Sequence, residues 1–242
     1  MSTPADHARS RTGEAYRVLR AAIVAGSLAP GSRLSPNELS QRFQLGPTPI
    51  REALARLAAE NLAVAIEQRG YRAAPLSVGE LTELLDLRLG FEREALIRSM
   101  RAGNDEWEAG IVAAYHFLAR CEPPRPGQDA EAIALWGQRH DAFHLALIDG
   151  VKAPWLRRFH RQAIEQIERY RLAILRAGQA GPPDARLARI LSHQDHAELR
   201  DAVLARDEPA ALQRLDRHVG ETAAIFAAQF AAVQARAKLG TG

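Results

Sequence analysis

Residues 30–70 read PGSRLSPNELSQRFQLGPTPIREALARLAAENLAVAIEQRG. Two short helical patterns lie on either side of a break at 46–49, and an extended apolar run closing on Gly70 follows. Ser35 stands before Pro36, with Glu38 three residues after the serine. That is the signature of a capping box, with proline in its preferred first helical position. This helix is expected to end near Phe43. The next is expected to open with Thr48 as cap and Pro49 in the first turn. Ile50, Leu54 and Leu57 then mark one buried face, leaving Thr48, Arg51, Glu52 and Arg56 for solvent or DNA. Residues 62–67 and 71–74 read as two strands of a small β-hairpin around Gly70. Helix, turn, helix and hairpin in this order form a winged helix-turn-helix, which places its second helix in the major groove of DNA.

Working outward, residues 12–25 carry Tyr16, Leu19, Ala22 and Ile23 at helical spacing, with Gly26 as a stop. Residues 1–10 read as a loose polar lead-in. Residues 74–77 read as a linker, dividing the chain into a DNA-binding domain at 1–76 and a second domain at 77–242. Beyond the linker the pattern is wholly helical, with helices expected near 79–102, 104–121, 129–149, 154–178, 184–206 and 208–233. Proline- and glycine-containing segments separate them. The fold class is therefore mainly α: a winged N-terminal module followed by an all-helical bundle of six or seven helices.

Composition narrows the function. Of the 242 residues, 47% are hydrophobic, enough for packed cores, yet no apolar run approaches the roughly 18 residues of a membrane span. The first ten residues lack the apolar core of a signal peptide. A single cysteine, Cys121, excludes an internal disulfide framework and a cysteine-based zinc motif, and it suits a cytoplasmic protein. Residues 1–76 hold ten arginines, no lysine and six acidic residues, whereas the remainder is close to neutral. Arginine bonds phosphate or guanine bidentately. Arg51 is the candidate for a base or phosphate contact, Thr48 and Arg33 for backbone phosphates, and Gly70 for close approach of the wing to a minor groove.

Four of the eight histidines form a second constellation. His140 and His144 are four apart, so their rings share a helix face. His196 and His218 fall on the last two expected helices. Three helices could bring these imidazoles to one centre, and neutral imidazole is a common ligand of zinc, nickel, copper and iron. Spacing alone equally allows four ordinary core or surface histidines.

The chain resembles the GntR family of bacterial transcription regulators, in its FadR subfamily. The resemblance rests on Pro30-Gly31-Ser32-Arg33-Leu34, Thr48-Pro49-Ile50-Arg51-Glu52-Ala53-Leu54, Asn61-Leu62 and Arg69-Gly70-Tyr71. Asn37 stands where the family often carries a DNA-contacting arginine. Gly46 and Pro47 stand where it usually has serine or threonine and often arginine. The second domain is similar to the FadR C-terminal domain, through Leu87-Arg88-x-x-x-Glu92, residues 141–144, and His196, Asp207 and His218 at equal spacings. The resemblance implies a divalent-metal site at His144, His196 and His218, with His140 where aspartate is usual. Asp141 sits one residue off that position. It also implies an effector pocket for a small carboxylic acid or related metabolite, with Arg88 as a pocket arginine. An ion pair of Arg88 with Glu92, four residues on, is the competing reading. His193 does not fit the family spacing, and His7, His116 and His160 have no assigned partners.

These features imply a ligand-responsive repressor binding double-stranded operator DNA as a homodimer. The expected cofactor is a divalent transition metal, zinc or nickel. Two rivals are a helical metalloenzyme acting on a small acid through metal-activated water, and an architectural DNA-binding protein with a purely structural bundle. Against the enzyme stand the lack of a clear general base, of an H-E-x-x-H motif and of a phosphate loop. Against the architectural protein stands the cost of burying polar histidines without use.

Overall fold

Proline and glycine punctuate the first unit. The computed structural model describes residues 4–67, 69–125, 128–176 and 185–239, and the chain divides between Ser77 and Val78 into two compact units. The first comprises α1 (Pro4–Val24), β1 (Arg33–Leu34), α2 (Pro36–Phe43), α3 (Pro47–Ala59), β2 (Ala63–Ile66) and β3 (Gly70–Ala73). Helix α1 begins at Pro4, well before residue 12, in the stretch expected to be a loose lead-in. It ends near Gly26, whose φ of 72° is the left-handed stop anticipated there.

The wing is larger than a hairpin. β1 pairs antiparallel with β3, Arg33 facing Arg72 and Leu34 facing Tyr71, giving a three-stranded sheet of order β1-β3-β2. Two residues are too short a strand to read from periodicity. Gly70 has a φ of 87° at the head of β3, a conformation that favours glycine and turns the wing.

The caps also differ from expectation. Ser35 is the N-cap of α2, but its side chain makes no capping hydrogen bond. Gly46, not Thr48, is the N-cap of α3, and Pro47 takes the first helical position. The fixed φ of Pro47 suits that position, so Thr48 is already inside the helix. Leu19, Leu34, Ile50, Leu54, Leu57 and Leu62 are wholly buried in the core beneath these elements.

The second unit contains α4 (Val78–Ala102), α5 (Asp105–Ala119), α6 (Ala130–Ile148), α7 (Pro154–Arg176), α8 (Ala185–Ile190), α9 (His193–Leu204) and α10 (Glu208–Leu239). Helix α4 packs on α6, α7 and α10, α5 on α6 and α9, and α9 on α10. The single helix expected over 184–206 is two, with residue 184 outside the described residues. Ser192 starts α9 as its N-cap, accepting a hydrogen bond from the Asp195 amide. Helix α10 continues to Leu239, past the fraying expected near residue 233. Among the described residues no helix is long and apolar enough to cross a membrane.

Candidate DNA-reading surface and histidine centre

Arg51 and Thr48 are exposed near the start of α3, Asn37 is exposed in the first turn of α2, and Arg33 is exposed on β1. Arg51 makes no ion pair among the described residues. Two other residues expected to be available are committed elsewhere. Glu52 accepts a hydrogen bond from Thr12 Oγ1 at 2.6 Å. The Arg56 guanidinium lies 3.7 Å from the centroid of the Tyr16 ring and is paired with Glu60. Tyr16 in turn donates to Glu60 at 2.6 Å. Glu52 and Arg56 therefore fasten α3 to α1, and Arg51 projects alone.

The sheet gathers charge of which the sequence reading singled out only part. Arg33, Arg69 and Arg72 line one cleft of about 300 Å³ together with Ile66 and Tyr71. Arg72 Nη1 donates to the Gly31 carbonyl at 3.0 Å, anchoring that side chain. Arg69 was legible from its place beside the wing glycine. The register of Arg72 with Arg33 required β1, which was not.

In the second unit His140, His144, His196 and His218 are all buried, and one ligand atom from each lies within 4.8 Å of the others. Helices α6, α9 and α10 supply them. Three rings are oriented through Nδ1. His144 Nδ1 lies 3.0 Å from Glu92 Oε2, His196 Nδ1 donates to the Ser192 carbonyl at 2.7 Å, and His140 Nδ1 lies 3.2 Å from Asp141 Oδ1. An acceptor on Nδ1 fixes the proton there and leaves the Nε2 lone pair for the centre. His144 Nε2 approaches His218 Nε2 at 3.2 Å.

Burial keeps these rings neutral. Desolvation, reinforced by neighbouring histidines and Arg88, pushes His140 and His218 well below the usual histidine range. His196 falls to about 3 chiefly for the same reason. His144 is also lowered by burial, against the opposing pull of Glu92.

Beneath the centre lies a buried ionic group. Arg88 Nε donates to Glu92 Oε1 at 2.6 Å, with both side chains almost fully buried. Burial alone would raise the Glu92 carboxyl, but Arg88 and His144 hold it well below the carboxylate range. His160, for which the sequence suggested no partner, lies with Nε2 2.9 Å from Glu92 Oε1. It sits on α7 and has no helical-spacing relation to the other histidines, so no sequence signal linked it to them. The ion pair of Arg88 is real, yet its Nη2 has no hydrogen-bond partner. The same is true of His196 Nε2 and His218 Nδ1.

Three rings with Nε2 lone pairs left for the centre, His218 beside them, and orphaned nitrogens in a buried place, fit a divalent ion that accepts nitrogen donors. Asp141 does not join them as a ligand atom; it pairs with Arg171 on α7 at 3.3 Å. His193, with a partnerless Nδ1, and His116 stand outside the group. The side chain of His7 lies outside the described residues.

Comparison with known proteins adds independent findings. The family described as bacterial regulatory proteins, gntR family, matches residues 11–72, and the FCD domain matches residues 83–221. The HTH-type transcriptional regulator BphR of Paraburkholderia xenovorans is 36% identical over 216 residues, 89% of this chain and 85% of its own. The HTH-type transcriptional repressor GlaR of Escherichia coli is 32% identical over 208 residues, 85% of this chain and 91% of its own. Among solved structures, Escherichia coli McbR/YncC matches with a TM-score of 0.69 at 21% identity, covering 91% of this chain and 98% of that one. That likeness concerns the fold.

Proposed function

Because the chain belongs to the GntR family of bacterial regulatory proteins and carries an FCD domain, we propose that it is a cytoplasmic, ligand-responsive repressor whose helical unit senses a small carboxylate beside a divalent metal. The relatives are regulators and repressors, so the chain is a DNA-binding transcription regulator and not the metalloenzyme considered from the sequence. The observation carrying the sensor reading is the buried set of four imidazoles within 4.8 Å. His140, His144, His196 and His218 would hold zinc or nickel, with Glu92 orienting His144. The bound ion supplies a Lewis-acidic position that a carboxylate can take. Arg88, with its partnerless Nη2, offers that carboxylate a charge-assisted hydrogen bond. On the DNA side, Arg51 reads the operator from α3, with Thr48, Asn37, Arg33 and Gly70 placed along the same module.

The test is metal content. Untagged protein is expected to carry about one transition metal per chain, and His196→Ala to lose most of it while retaining operator affinity in a gel-shift titration. Full occupancy in the variant would remove His196 from the centre. Effector binding and operator binding should also be reciprocal, each changing the affinity of the other by the same factor.

A homodimer completes the reading, and an exposed face of the second unit supports it. Leu87 on α4 and Trp155 and Phe159 on α7 are 48%, 66% and 47% exposed. Phe159 stacks on both Phe91 and Trp155, making one continuous apolar strip. Exposed Glu83 and Asp86 flank it on α4, and exposed Arg158 and Arg161 on α7. A twofold pairing would set the acidic flank of one copy against the basic flank of the other. Phe159→Glu is expected to shift the protein from dimer to monomer in sedimentation equilibrium, with unchanged helical circular dichroism. A variant that stays dimeric would move the interface elsewhere.

A further inference from the structure

We propose that His140 is the ligand that sets the metal preference of the centre, and that Trp136, Gly137, Asp141 and Arg171 form a dedicated shell holding it in place. The inference rests on the metal reading above. It adds the reason for that choice of ion: with His140 the centre offers four nitrogen donors, which favour zinc, nickel, cobalt or copper over manganese and magnesium.

Each member of the shell has a separate physical role. Trp136 lies one turn before His140 on α6, and the two rings stack at 4.6 Å with an interplanar angle of 23°. Asp141 accepts from His140 Nδ1 at 3.2 Å, which fixes the proton on the outer nitrogen and turns Nε2 inward. The same carboxylate is gripped by the Arg171 guanidinium, Nη1 on Oδ1 and Nη2 on Oδ2, each at 3.3 Å. Arg171 is itself buried, although it comes from a different helix, and its guanidinium lies 5.8 Å from the Trp136 ring centroid. It reaches Asp141 by crossing α6 at Gly137. A Cβ at residue 137 would sit 2.9 Å from Arg171 Cζ and closer still to Nη2. The close approach thus requires glycine at this one position.

The consequence is electrostatic and chemical. The carboxylate nearest His140 is held outside the centre by Arg171, and the other, Glu92, is held by Arg88, His144 and His160. No carboxylate oxygen is among the four converging atoms. Oxygen donors suit magnesium, calcium and manganese, whereas imidazole suits the later first-row ions. An all-imidazole set also leaves the full charge of the ion uncompensated by its ligands, which favours an anionic effector.

The experiment uses the full chain, stripped of metal and equilibrated with mixtures of zinc and manganese, then assayed by elemental analysis. Cobalt loading with visible absorption gives a second readout. The wild-type chain is expected to take zinc over manganese by more than 100-fold. His140→Asp should narrow that ratio at least tenfold and alter the cobalt d–d bands. Gly137→Ala pushes aside the flexible end of Arg171 and leaves His140 in the sequence. It should lower cobalt affinity roughly 10–100-fold, the usual cost of losing an outer-shell partner, and shift the same bands, while the thermal melt of the metal-free protein reports separately the cost of displacing the buried Arg171. A zinc-to-manganese ratio and cobalt spectrum unchanged in His140→Asp would overturn the assignment of His140. Unchanged cobalt affinity and bands in Gly137→Ala would overturn the role of the shell. A wild-type chain that binds none of these ions would overturn the metal reading itself, a result distinct from either.

Discussion

Glu92→Ala is expected to destabilise the helical unit by about 3–5 kcal/mol, the cost of breaking a buried ion pair from one side. Glu92 is 1% exposed and balances Arg88 at 2.6 Å while accepting from both His144 and His160. Removing the carboxylate leaves the Arg88 guanidinium buried without a counter-charge. Against the roughly 5–15 kcal/mol of a whole domain, such a loss is large. Urea unfolding followed by circular dichroism measures it. The double replacement Arg88→Met with Glu92→Leu should recover most of the loss, because a paired apolar substitution removes the desolvation cost along with the attraction. A single-variant effect below about 1 kcal/mol would mean that water reaches this group. The same variant deprives His144 of the acceptor on Nδ1, so metal affinity should fall as well, by about 10–100-fold.

The double duty of Glu92 explains why parts of the site were readable in the sequence and other parts were not. The i,i+4 spacing of Arg88 and Glu92, and of His140 and His144, is a local property, and helix geometry converts it directly into shared faces. The convergence of His196 and His218 on that pair was suggested by their places on the last helices and by family resemblance. The contribution of His160 depended on how α7 packs against α4, which no local pattern encodes. Arg171 is similar: its bond to Asp141 spans thirty residues and exists because Gly137 leaves a gap. In the winged unit, hydrophobic spacing revealed α3, since Ile50, Leu54 and Leu57 must face inward. It did not reveal that Gly46, not Thr48, would begin the helix. Two prolines flanking Thr48 offered two starts, and the backbone took the earlier one. Nor did it reveal β1, whose two residues are strand only because β3 lies beside them. Charge at the surface was read too generously for Glu52 and Arg56, whose partners on α1 are forty or more residues away.

That division among the polar residues of α3 makes Arg51 the informative position on the DNA side. With Glu52 and Arg56 turned toward α1, Arg51 is the exposed arginine of this helix that makes no ion pair among the described residues. Arg51→Ala is therefore expected to weaken binding to a selected operator by roughly 1–3 kcal/mol, about 5- to 150-fold, if the guanidinium pairs with a base edge. Binding to unrelated DNA should change much less, so the ratio of specific to non-specific affinity falls. Arg51→Lys should recover little of the loss, since lysine keeps the charge but not the bidentate geometry. Arg33→Ala provides the contrast. A phosphate contact on β1 would weaken all sequences alike and reduce the slope of log affinity against log salt by about one. Fluorescence anisotropy on operator and scrambled duplexes at several salt concentrations separates the two patterns. If Arg51→Ala instead reproduced the uniform, salt-linked loss assigned to Arg33, Arg51 would be a phosphate anchor. Sequence reading would then have to come from Thr48, Asn37 and the arginine cleft of the wing.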